Sequence, residues 1–62
     1  MQRMKPQTDG LWQRVGRKHY QHVTGVEIVY RPNLWLWEII GGKSDGHRFE
    51  RLWAAQHYAT HA

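Results

Sequence analysis

Two β-forming runs separated by Pro32-Asn33 constrain this chain more than any other feature. Val26-Glu27-Ile28-Val29-Tyr30-Arg31 is β-branched and aromatic, and Leu34-Trp35-Leu36-Trp37-Glu38-Ile39-Ile40 is the strongest strand-forming stretch in the sequence. Proline presets the first central position of a turn and asparagine tolerates the second, so the pair reads as a two-residue hairpin loop. Cross-strand partners share a face of the sheet. With that loop, one face carries Tyr30/Trp35, Ile28/Trp37 and Val26/Ile39, all apolar or aromatic, and reads as the core. The other carries Arg31/Leu34, Val29/Leu36 and Glu27/Glu38. A slip of one residue would mix charge into both faces, so the pattern specifies which side is buried.

The flanks extend this hairpin. Gly41 to Gly46 (GGKSDG) is a glycine-bracketed turn, and His47-Arg48-Phe49-Glu50-Arg51 reads as a third strand. The turn parity that puts Phe49 beside Trp37 in the core puts Arg48 beside Glu38 outside, whereas the opposite parity would bury Arg48 and Glu50. Arg48 is therefore the cation expected to bridge the facing Glu27 and Glu38. Leu52 to His61 is helix-like, with Ala54, Ala55 and Ala59 favouring it. Leu52, Ala55, Ala59 and Ala62 form an apolar stripe flanked by Trp53 and Tyr58. Upstream, Leu11-Trp12-Gln13-Arg14-Val15 is a short strand candidate. Arg17 to Thr24 has no clear period and reads as a loop or a continuation of that strand. The expected fold class is α+β: an antiparallel meander of three strands, or four with the upstream segment, and one C-terminal helix packed on one face. Residues 1–10 are expected to be a flexible lead-in and residues 11–62 a single domain.

Composition narrows the function classes. The chain has 62 residues, no cysteine and a net charge of +4, so no disulfide or thiolate chemistry supports it. Large aromatic side chains must do much of the burying, and four tryptophans and three tyrosines fit that need. No apolar run long enough for a membrane span or a secretory leader is present, which makes the cytoplasm the expected location and a membrane partner unexpected. The charge is uneven. Residues 1–31 hold six lysines and arginines against Asp9 and Glu27, while residues 32–62 hold three against three acids. Such asymmetry attracts polyanions.

The densest basic cluster is Arg14, Arg17 and Lys18, with His19 and Tyr20 beside it. Cations of this kind contact phosphates while an aromatic ring stacks on or wedges between bases. Arg31, at the hairpin turn, extends the cluster. The outer face holds a second candidate, the apolar group Val29, Leu34 and Leu36, which either the N-terminal strand covers or a partner does. No cofactor, metal or catalytic site is expected. His57 and His61 have helical ligand spacing but lack the glutamate of a zinc-protease motif. Ser44 and Asp45 have no histidine implied nearby. Gly41-Gly42-Lys43-Ser44 lacks the full phosphate-loop pattern and reads as a hairpin turn.

Residues 26–60 also resemble the sheet-plus-helix domains of AP2-type plant transcription factors and the amino-terminal domains of some phage integrases. The resemblance rests on Trp35-Leu36-Trp37-Glu38-Ile39, then Gly46, Phe49 and Ala54-Ala55-Gln56-His57-Tyr58. It implies DNA reading by the outer sheet face, with Arg31 and Arg48 as the matching contact positions. Two functions stay open: a small non-enzymatic nucleic-acid-associated module, of the kind found in compact accessory proteins of mobile elements and binding DNA or RNA, and a protein-interaction module or homodimer using the outer face.

Overall fold

A computed structural model describes residues 10–61. It contains five strands and one helix: β1 (Trp12–Gly16), β2 (His19–His22), β3 (Glu27–Arg31), β4 (Leu36–Ile40), β5 (Arg48–Phe49) and α1 (Leu52–His61). The strands form one antiparallel meander in the order β1-β2-β3-β4-β5. The expected sheet of three or four strands is thus corrected to five. The difference lies in β2, whose sequence HYQH offers only Tyr20 and His22 to the inner face and so shows little apolar alternation. The expected lead-in over residues 1–10 lies, apart from Gly10, outside the described residues.

The central hairpin differs from the two-residue loop in a definite way. Tyr30 pairs with Trp37, Ile28 with Ile39 and Val29 with Glu38, which leaves Pro32 to Trp35 as a four-residue turn. Proline holds φ near −65°, whereas the tight two-residue hairpin turns need positive φ at their first central position. The chain instead makes a wider turn in which the Leu34 and Trp35 amides both donate to the Arg31 carbonyl, at 3.0 and 2.8 Å. The register moves by two residues, so each side chain still within a strand keeps its expected face. Trp35 and Leu34, however, leave the strand for the turn. Trp35 is 77% exposed and not part of the core. Glu27 no longer faces Glu38 but pairs with Ile40.

The helix covers the inner face. Ile28, Ile39 and Ala55 are fully buried, with Trp12, Val26, Trp37, Phe49, Leu52 and Ala59 packed around them. Of the expected helical stripe, Leu52, Ala55 and Ala59 face this core and Ala62 lies outside the described residues. Tyr58 packs on His47 and Phe49, with ring centroids 4.8 and 5.2 Å away. The Leu11–Val15 segment joins the sheet edge as β1 and does not cover the outer face.

Because the strands run up and down, the β1–β2 and β3–β4 turns lie at one end of the sheet. The Tyr30 amide donates to the Lys18 carbonyl at 3.0 Å and ties the two together. The β2–β3 and β4–β5 turns lie at the other end. There Thr24 Oγ1 and its amide bond His22 Nδ1 at 2.8 and 3.3 Å, and the Gly41 amide donates to Asp45 Oδ1 at 2.6 Å.

Candidate nucleic-acid interface

The expected basic cluster sits at the end formed by the β1–β2 and β3–β4 turns. Arg14 lies on β1 opposite Tyr20, so both belong to the inner face. Arg17 and Lys18 form the turn that follows. Arg14, Arg17 and Lys18 are all exposed, and none forms an ion pair with a carboxylate among the described residues. Toward this end the inner face is aromatic and half-buried. Tyr30 and Trp37 meet edge to face with centroids 5.0 Å apart, and Tyr20 lies 6.1 Å from Trp37. The Lys18 ammonium sits 4.6 Å above the Tyr30 ring. A cation held over a ring face is attracted by its quadrupole and also shields that face until displaced. Sequence reasoning singled out Tyr20 alone of these rings. Cross-strand positions 20, 30 and 37 become neighbours only once β2 is recognised as a strand.

Backbone conformation sets this end apart again. Lys18 and Trp35 are the non-glycine residues with positive φ among the described residues, at 55° and 60°. Each closes one of the two turns here. A bulky side chain in this region crowds its own carbonyl, which costs about 1–2 kcal/mol relative to glycine. The turns at the far end place glycines at their positive-φ positions: Gly25, Gly41, Gly42 and Gly46.

Arg31 and Arg48 behave differently from the cluster. Both converge on Glu38 on the outer face: Arg31 Nε donates to Oε1 at 2.6 Å and Arg48 Nη2 lies 3.6 Å from Oε2. The Arg31 hydrogen bond, aided by the charges of Arg31 and Arg48, holds the Glu38 carboxyl below its ordinary value against the opposing desolvation. Arg48 faces Glu38 across the β4–β5 pair as the turn parity required, but it does not bridge Glu38 to Glu27: Glu38 lies between Arg48 and Arg31. Glu27 takes His19 instead, at 2.6 Å. Of the expected interaction patch, Val29 and Leu36 are half-buried on this outer face and Leu34 is 41% exposed in the turn.

The remaining candidates do not assemble. His57 and His61 stack at 4.1 Å, with His61 Nδ1 3.0 Å from the His57 carbonyl. No group of three or more metal-ligating side chains occurs among the described residues. Ser44 is buried in the β4–β5 turn, and its Oγ has no partner there. A cavity of about 190 Å3 beneath the helix C-terminus is lined by Trp12, His22, Thr24, Val26, Ala59 and Thr60. It is smaller than the roughly 300–1,000 Å3 of usual ligand pockets. No described helix is long and apolar enough to cross a membrane. No protein family model, curated protein or solved structure matches this chain.

Proposed function

We propose that this domain is a non-enzymatic nucleic-acid-binding module whose contact surface is the end of the sheet formed by the β1–β2 and β3–β4 turns. One observation carries the reading. Three exposed cations without carboxylate partners among the described residues adjoin three half-buried aromatic rings at one end of the sheet's inner face. Arg14, Arg17 and Lys18 supply phosphate contacts, and counterion release makes such binding strongly salt-dependent. Arg31 and Arg48 are partly neutralised by Glu38 and contribute less.

The alternative places a protein partner or a second copy on the outer face. Val29, Leu36 and Ile40 are apolar there, but they are interleaved with the His19–Glu27 and Arg31–Glu38–Arg48 pairs. Covering that face would desolvate these charges for little apolar gain, so the observations favour the first reading.

The test is titration of a short fluorescent oligonucleotide at several salt concentrations. Three phosphate contacts to a single strand predict a slope of about −2 in log K against log salt. The variant with Arg14, Arg17 and Lys18 changed to glutamine loses that slope while keeping its fold. Binding that ignores salt, or that survives the triple change, contradicts the proposal.

A further inference from the structure

We infer that the nucleic acid is single-stranded and that Trp35 stacks on one of its bases. This rests on the binding surface proposed above and adds the class of substrate.

Trp35 is the most exposed large apolar residue among those described, at 77%. It has no ring partner among the described residues. Its backbone occupies a conformation that glycine adopts without penalty and a bulky residue does not. Neither core packing nor turn geometry therefore accounts for an indole at this position. Side chains held in such conformations persist where the surrounding structure over-determines them, and they cluster at ligand-contact sites. The neighbouring turn repeats the arrangement with Lys18, a cation in place of a ring. The two turns that share one end of the sheet thus carry a stacking surface and a phosphate-binding charge, both in strained backbone.

Strand number follows from the chemistry of the two groups. An exposed indole at a turn tip stacks on a base face, and base faces are accessible in single strands but buried in a duplex. A duplex would engage the cations alone. The outer face argues the same way. A sheet laid in a major groove needs cations free to reach phosphates on both sides, and here Arg31 and Arg48 are drawn onto Glu38 between them.

The experiment compares three probes on the intact chain: a single-stranded dT oligonucleotide, a blunt duplex of equal length, and inorganic polyphosphate. Each is titrated against wild type, W35G and W35F, with melting temperature measured for every variant. The inference predicts that the single strand binds at least tenfold more tightly than the duplex or polyphosphate. It predicts that W35G loses most of that preference while melting at the same or a higher temperature, because glycine relieves the backbone. Phenylalanine keeps a π face and restores part of the preference. Equal binding of all three probes, with W35G unchanged, would overturn the stacking role and leave the electrostatic surface standing. Binding of none would remove both. If Trp35 were instead a structural residue, W35G would melt lower and W35F would not recover binding.

Discussion

The two ends of this sheet solve the same backbone problem with opposite residues. At the end holding the β2–β3 and β4–β5 turns, the chain enters positive φ at Gly25, Gly41, Gly42 and Gly46. At the other end it does so at Lys18 and Trp35. The glycine end is built for closure: the Gly41 amide is capped by Asp45, and a Cβ on Gly42 would meet Val26 Cγ2 at 2.9 Å. The opposite end carries exposed cations without carboxylate partners among the described residues, beside half-buried rings. Stability is concentrated where the helix seals Ile28 and Ile39, and conformational cost is accepted where contact with a partner is expected. The same inner face therefore serves as core over one part of its length and as a candidate binding surface over the other.

That division can be broken most severely from within the sealed part. Ile39→Ala removes a side chain that is fully buried with Ile28 and Ala55 and should cost about 2–5 kcal/mol, enough to unfold much of the population. Chemical denaturation reads this directly, and a cost under about 1 kcal/mol would mean the core is misplaced. Changing Arg14, Arg17 and Lys18 together to glutamine should reduce oligonucleotide affinity by about tenfold or more at low salt while moving stability by about 0.5 kcal/mol or less. An equal loss of stability and binding would erase the distinction between the ends.

Glycine replacement sharpens the comparison, because the two ends should answer with opposite signs. Gly42→Ala adds a methyl that collides with Val26 in a positive-φ position and should destabilise by about 1–2 kcal/mol. Lys18→Gly should be neutral or stabilising by up to about 1 kcal/mol, since glycine relieves strain but adds freedom to the unfolded chain. Thermal melts of the pair check the sign.

The smallest effect concerns acid. Glu38 has its carboxyl lowered on folding by Arg31 and Arg48. Its contribution is fully present above the ordinary value of 4.5 and is lost as pH falls through the lower folded value. Glu38→Gln should flatten that part of the stability profile and leave the slope at higher pH as it is in the wild type.

How much of this was legible in the sequence depended on parity and on turn chemistry. The inner and outer faces of β3 and β4 were readable because alternation survives a register shift of two residues. The place of Trp35 was not, since Pro32-Asn33 alone reads as a complete two-residue loop whereas the turn spans Pro32 to Trp35. The proline itself argues against that loop, because its fixed φ is incompatible with the tight hairpin turns. The Arg48–Glu38 and Phe49–Trp37 neighbours followed from parity alone. Strand β2 escaped notice because its inner side chains, Tyr20 and His22, are amphipathic and its turn, Arg17-Lys18, has none of the usual turn residues. The basic cluster was visible as composition. Its adjacency to Tyr30 and Trp37 was not, because it depends on β2 lying between β1 and β3.

The central claim is that contact happens at the strained end and nowhere near the glycine end. The four tryptophan indoles report on it without mutation. In a two-dimensional NMR titration with a dT oligonucleotide, the indole signals of Trp35 and Trp37 and the amides of residues 14–20 and 30–37 should shift. The indole of Trp12 and the amides of the Gly41–Gly46 turn should stay in place. Shifts centred on Trp12 or on that glycine turn, with Trp35 unmoved, would contradict the account.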